Sequence, residues 1–302
     1  MNATMGKHLW KSLFVFLSSL AISLLVAPLR GGGITILGLS GLPLSLLAGS
    51  VLFFAMTLFF LKRYSSIIPP WAIVLVALFG ACIIEIPVRV LYFQSTLVSL
   101  PDIVLKLISI MIGYVFFKIR STTGKIVLSV FAVLLYLWSA YVGYDLWVNK
   151  LNYGTFTGRT NSAVEGSVIF QNEHDENVSL KDFEGKYLIL DFWSSSCGVC
   201  YKKFPEVQKV YDTYKATPEI EVYAVFCRTN KKGETAQTGQ QILEERGYTF
   251  PSLSMDMDDP ILKEIRVSGF PTVIIFNPKG ELIFRGRIEG AQKYIDTLKS
   301  RR

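Results

Sequence analysis

Acidic side chains are nearly missing from the first half of this 302-residue sequence: residues 1–150 hold only Glu85, Asp102 and Asp145, against 11 lysines and arginines. Residues 151–302 carry 20 basic and 21 acidic side chains, so the whole formal charge of +7 belongs to the first half. That excess flanks long apolar runs, as the loops of membrane proteins are charged, and a nucleic-acid partner is not expected. Cysteine is scarce too. The four present, Cys82, Cys197, Cys200 and Cys227, are too few for a disulfide-stapled scaffold. Histidine is limited to His8 and His174, and no second C-x-x-C exists, so a structural zinc site lacks ligands and no metal is expected.

What the first half does have is apolar length. A membrane-spanning helix needs about 20 mostly apolar residues, and five stretches qualify: residues 9–29, 42–61, 71–93, 103–117 and 126–148. The first, preceded by Lys7 and Lys11, also has the look of a signal sequence, but four more spans follow it. The second is the weakest, with Pro43 and glycines near its start. Residues 1–150 are therefore expected to form an all-α membrane domain. With the N-terminus in the cytoplasm, the inner loops hold Lys7, Lys11, Lys62, Arg63, Lys118, Arg120 and Lys125, and the outer ones Arg30 and Asp102. Five spans and this bias place the C-terminal half outside the cytoplasm.

The joining stretch "LNYGTFTGRTNSAVEG", residues 151–166, is polar and Gly-rich and reads as an exposed linker. From 167 to 302 the pattern is that of a soluble α/β domain. "YLILDFW" and "IEVYAVF" are apolar runs of strand length, "YKKFPEVQKVYDTYK" has helical spacing, and "TVIIFNPKGELIFRGRI" folds back as a hairpin at residues 277–280. Such an order predicts a mixed central sheet flanked by helices.

The cysteine pair sits where "YLILDFW" gives way to a helix starting near Cys200. A thiol attacks as thiolate, and helix N–H dipoles aimed at a sulfur favour the anion. Cys197 is then the attacking sulfur. Cys200, one turn later and more buried, resolves the mixed disulfide. Cys227 ends the strand "EVYAVFC" and reads as a small buried hydrophobe rather than a third redox thiol.

"LILDFWSSSCGVC" resembles the active-site segment of the thioredoxin superfamily, and "VSLKDFEGKYLILDFW" is similar to the lead-in of membrane-tethered TlpA/ResA-type thiol-disulfide oxidoreductases. "VSGFPTVIIFNPKG" resembles the segment around their cis-proline, so the likeness covers residues 165–297. It implies a thioredoxin-like fold and two further catalytic positions. Asp191 matches the buried acid that takes the proton of the second cysteine, and Pro271 the cis-proline that exposes the backbone of Phe270 to substrate. Trp193, packed against the active-site turn, and Phe270, Gly198 and Val199 are expected to border the substrate. Ser196 stands where the family usually has tryptophan, and Val199 replaces a common proline. Both changes bear on substrate choice and potential rather than on the chemistry.

The expected function is a thiol-disulfide oxidoreductase in a bacterial cytoplasmic membrane, its redox domain in the periplasm, reducing disulfides of exported proteins. Its partners are those proteins and a separate electron donor or acceptor, such as a membrane thiol carrier. The redox group is the cysteine pair, without a cofactor. The alternative is a thioredoxin-like binding or chaperone module serving a transport or maturation role of the membrane half. Cys82, alone among the spans, cannot form an internal disulfide, so transmembrane electron relay is not expected. Glu85 and Arg89, four residues apart in the third span, are expected to pair with each other. "MDMDDP", residues 255–260, fits no calcium loop and reads as the cap of the next helix.

Overall fold

A computed structural model describes residues 3–164, 166–229 and 233–300. The chain divides into two compact units, Met1–Val148 and Asn149–Arg302.

The first unit opens with α1 (Ala3–Val26) and a short hairpin of β1 (Thr35–Ile36) and β2 (Leu39–Ser40). Then follow α2 (Gly41–Tyr64), α3 (Pro70–Leu91), the one-turn α4 (Phe93–Thr96), α5 (Leu100–Lys118) and α6 (Thr122–Trp138); after a π-helical turn the last of these continues as α7 (Tyr144–Tyr153). Among the described residues, five segments are long and apolar enough to cross a membrane: His8–Gly31, Gly41–Tyr64, Pro70–Leu91, Phe93–Lys118 and Thr122–Tyr153. The second of them is a continuous helix because Pro43 falls in its first turn, where no backbone N–H is needed. Close helix approach uses small residues, as expected where both lipid and side chains are apolar. A Cβ on Gly80 of α3 would stand 2.8 Å from the Phe16 carbonyl oxygen of α1, and Ser19 donates to the Ala77 carbonyl at 2.7 Å.

Glu85 and Arg89 do pair, at 3.2 Å, but not with each other alone. Glu85 also receives Arg30, which binds Asp102 at 2.6 Å, and Asp102 takes Lys106 at 2.9 Å. Ser45 of α2 adds a bond to Asp102 at 3.3 Å. Arg30 lies just beyond α1, Ser45 near the start of α2, Glu85 near the end of α3 and Asp102 at the start of α5, so alternation of helix direction brings all four to one end of the bundle. Spacing within one helix offers Glu85–Arg89 and Asp102–Lys106, but not the Arg30 that joins the two pairs.

The second unit is one eight-stranded sheet in the order β3-β10-β9-β6-β7-β8-β4-β5. In chain order its elements are β3 (Arg159–Ser162), β4 (Ile169–Gln171), β5 (Asn177–Ser179), β6 (Tyr187–Trp193), α8 (Gly198–Tyr214), β7 (Ile220–Arg228), α9 (Ala236–Glu245), β8 (Ser252–Asp256), α10 (Pro260–Glu264), β9 (Thr272–Phe276), β10 (Leu282–Gly286) and α11 (Ile288–Lys299). β6 runs parallel to β7 and antiparallel to β9, which makes the sheet mixed. The Asn277 side chain accepts from the backbone N–H groups of Lys279 and Glu281, each at 2.9 Å, closing the β9–β10 turn. Asp259 caps α10 through the Ile261 N–H at 2.8 Å.

Part of the expected linker is ordered structure. α7 runs on to Tyr153, and β3 pairs antiparallel with β10 as the edge of the sheet. Arg285, 4 % exposed, donates to the carbonyls of Tyr153 at 3.1 Å and Ile265 at 2.9 Å. "RTNS" carries no apolar alternation, since an edge strand held by backbone bonds needs none.

Side-chain alternation divides the core. Ile189 and Trp193 of β6, Ala224 and Phe226 of β7 and Val273 and Ile275 of β9 face α8 and α11. Leu188, Leu190 and Phe192, with Val225, Cys227 and Ile274, face α10 and the segment carrying Val168, Phe170 and Phe183.

Candidate active site

β6 is a central strand with every residue from Leu188 to Trp193 buried. It ends in the turn 194–196, and Cys197 caps α8: the Cys200 N–H donates to its sulfur at 3.2 Å and to its carbonyl at 3.0 Å. The turn is tied down from both sides, because Tyr201 donates to the Ser195 carbonyl at 2.9 Å and the Ser195 hydroxyl bonds Glu234. Cys197 and Cys200 form a disulfide with Cα atoms 5.3 Å apart. Cys197 is partly exposed and Cys200 fully buried. One cysteine is partly exposed at a helix N-terminus and the other is buried one turn later, an arrangement suited to attack by the first and resolution by the second.

Asp191 lies on the same sheet face as Ile189 and Trp193, hence the face covered by the helix that carries Cys200. Its neighbours across the ladder are Ala224 and Val273, neither of which offers a hydrogen bond from its side chain. The carboxyl is 2 % exposed, and its Oδ2 has no partner among the described residues. Burial, reinforced by the charge of Glu289, pushes its pKa up to about 8. Such an acid holds a proton at neutral pH and exchanges it near neutrality.

The Phe270–Pro271 peptide is cis, and Phe270 is half-buried. Gly198 and Val199 are exposed beside Cys197. Trp193 is not at the surface. It is fully buried, packed edge-to-face on Phe204 at 5.0 Å and against Phe226 at 4.9 Å. Its expected place at the substrate is corrected to a place under the active-site turn, because strand alternation turns it inward with Ile189.

Cys227 points to the opposite face of the sheet from Cys200, fully buried, and desolvation pushes its thiol well above the usual range. It packs as an apolar side chain. Motif reasoning did not bring in Glu289. That residue begins α11, 98 positions from Asp191 in the sequence, and nothing in "IEGAQKYIDTLK" marks it apart from an acid in the first turn of a helix.

The fold and the site define a class, a thioredoxin-like domain that carries out thiol-disulfide exchange. Residues 163–285 match the model of the AhpC/TSA family. The chain is similar to the thiol-disulfide oxidoreductase ResA of Geobacillus kaustophilus, 27 % identical over 172 residues that cover 56 % of this chain and 93 % of the relative. It is also similar to ResA of Bacillus subtilis, 29 % identical over 132 residues covering 42 % and 69 %. The C-terminal unit has a thioredoxin-like fold, and the matching family model and the ResA relatives support the thiol-disulfide oxidoreductase class. Among solved structures, the thioredoxin domain of a thiol-disulfide oxidoreductase from Bacteroides vulgatus aligns with a TM-score of 0.39 and 23 % identity, covering 46 % of this chain and 97 % of that one.

Proposed function

We propose that this protein is a membrane-tethered reductase of disulfides in exported proteins, with its thioredoxin-like domain on the periplasmic face of a bacterial cytoplasmic membrane. The observation that carries the chemistry is the division of labour between the two cysteines, one partly exposed at the start of α8 and one buried, on the sheet face that holds a buried acid whose Oδ2 has no partner among the described residues. Five apolar segments support tethering, and the lysines and arginines of the expected inner loops support the orientation.

In the reduced enzyme the Cys197 thiolate attacks one sulfur of a substrate disulfide and expels the other as a thiolate, giving a mixed disulfide. Asp191 accepts the proton of Cys200. The Cys200 thiolate then attacks Cys197 and expels the second substrate thiolate, and both substrate sulfurs take up protons. Two electrons pass from the enzyme dithiol to the substrate, leaving the Cys197–Cys200 disulfide. A separate dithiol donor restores the enzyme. Backbone at Phe270, beside the cis peptide, and the exposed Gly198 and Val199 border the approach to Cys197.

The test is reduction of insulin by the detergent-solubilised full chain with a dithiol donor. Turnover is expected for the wild type, with loss to background for Cys197→Ser. Absence of turnover, or turnover indifferent to that substitution, overturns the reading.

A further inference from the structure

Three cations of the C-terminal unit gather around Gly154, the exposed residue that follows α7. Lys150 donates to the Gly154 carbonyl at 2.7 Å. A Cβ on Gly154 would stand 3.6 Å from Arg266 Nη1 and 4.0 Å from Arg285 Nη1, so both guanidinium groups border the space that the glycine leaves open. Arg285 is 4 % exposed, and its guanidinium donates to the carbonyls of Ile265 and Tyr153, at 2.9 and 3.1 Å. None of the three cations forms an ion pair among the described residues. The acid nearest to Arg266 in sequence, Glu264, accepts from the Gly166 N–H at 3.1 Å. Carbonyl oxygens satisfy the hydrogen bonds of a buried guanidinium but leave its charge unbalanced, and two further cations beside it add repulsion. An anion above Gly154 would balance all three.

The class of that anion follows from where Gly154 lies along the chain. α7 closes the last segment apolar enough to cross a membrane, and the apolar stretch itself ends at Val148. Gly154 comes six residues later, about 9 Å along a helix. The headgroup layer is about 5–8 Å deep on each side of a bilayer, so long basic side chains set around Gly154 reach it. Beside them Phe156 is 51 % exposed, with the Lys150 ammonium 5.7 Å from its ring centre. An exposed ring next to gathered cations suits the membrane interface, where aromatic rings sit among headgroups, whereas a small soluble anion has no use for the ring. We propose that Lys150, Arg266 and Arg285 bind the phosphate of an anionic phospholipid above Gly154, with Phe156 set among the headgroups beside it. Arg285 belongs to β10, so the bound lipid holds that side of the sheet to the membrane surface.

The inference rests on the membrane tethering proposed above, and the test separates the two. Membranes carrying the full chain are first washed with alkaline carbonate. The retained chain is then purified in detergent and titrated with dioctanoyl phosphatidylglycerol, dioctanoyl phosphatidylcholine or inorganic phosphate, and the bound molecules are counted by native mass spectrometry. The wild type should bind one phosphatidylglycerol more tightly than any phosphatidylcholine. Arg266→Gln and Lys150→Gln, both at exposed positions, should each weaken that binding about fivefold and together about 25-fold, the scale of one cation apiece at an anionic surface. Binding of phosphatidylcholine should be the same in all four proteins.

A selective loss of phosphatidylglycerol in the variants supports the proposal, because a merely disturbed fold would weaken both lipids alike. Equal affinity of the wild type for the two lipids, variants that bind as the wild type does, or an equal loss of both lipids overturns the site and leaves tethering in place. Displacement of phosphatidylglycerol by inorganic phosphate at matched concentration overturns the lipid and makes this a site for a free anion. Release of the chain by carbonate overturns tethering itself, and the lipid site with it.

Discussion

Each half of the molecule buries one aspartate almost completely, Asp102 at 1 % exposure and Asp191 at 2 %, and treats it in an opposite way. Asp102 is surrounded: Arg30, Lys106 and Ser45 all bond it, and Arg30 extends the network to Glu85 and Arg89. Asp191 has apolar ladder neighbours and an Oδ2 without a partner among the described residues. A carboxylate that two cations hold joins helices together. A carboxyl left alone in an apolar pocket is free to change its charge, at a cost to stability. The first belongs to architecture and the second to proton transfer.

The sharpest way to break this comparison is to remove the charge of Asp102. Asp102→Asn leaves Arg30 with Glu85 alone and Lys106 with no carboxylate, and breaking a buried pair in this way costs about 3–5 kcal/mol. The full chain in detergent should melt at a clearly lower temperature while insulin reduction per folded molecule stays unchanged at low temperature. Loss of reduction without loss of stability would reverse the assignment.

Asp191→Asn should do the reverse. The folded-state value near 8 lies above the ordinary 3.8. Below the lower value the acid is protonated whether the chain is folded or not, and it costs nothing. Between the two, the unfolded chain has released its proton and the folded chain has not, so stability falls as pH rises, and the loss is complete above about 8. An amide never ionises but leaves a buried polar group with few partners, a cost of about 2 kcal/mol at either pH, against about 4 kcal/mol that the wild-type acid loses at pH 7 and almost none near pH 4. The oxidised variant is therefore expected to gain about 2 kcal/mol at pH 7 and to lose about as much near pH 4. Thermal unfolding at the two pH values measures it. The resolving step of the same variant should slow by roughly a hundredfold, the scale of general acid-base catalysis.

What the sequence showed and what it hid follow the same division. Continuous apolar runs revealed β6 and β7, and the length of the spans revealed the helices of the first half, because hydrophobic burial is written in one-dimensional order. Cys197 and Cys200 were legible because a strand gives way to a helix start at the pair, and Asp191 because "LILDFWSSSCGVC" resembles the thioredoxin active-site segment. Arg30 was not connected to Glu85 or Asp102, nor Glu289 to Asp191, because those partners come from different elements and no spacing rule joins them, whereas Lys106 lies four residues after Asp102 on one helix and that spacing was passed over. The edge strand β3 was hidden for another reason: its residues are polar, and its place depends on the backbone of β10. Trp193 does pack against the active-site turn, as its position suggests, but the alternation of β6 sends it into the core beneath that turn, so it does not border the substrate.

The smallest expected effect concerns how Asp102 keeps its lysine. A Cβ on Gly49 of α2 would come within 2.5 Å of Lys106 Cε, 3.3 Å of its Cγ and 3.5 Å of its Cδ, so the lysine stem crosses α2 at a residue without a side chain. A free lysine would swing aside at little cost. This one is 1 % exposed and its ammonium is bound to Asp102 at 2.9 Å, so Gly49→Ala should cost about 1–2 kcal/mol, within the range for overpacking a filled site. In the Asp102→Asn background the ammonium is no longer held, the stem can move, and the same alanine should cost distinctly less. The two losses would then sum to more than the double variant shows, a coupling that thermal unfolding of the four proteins measures directly. Strict additivity would mean that Asp102 does not hold the lysine in place, and the contrast between a pinned and a solitary aspartate would lose its structural half.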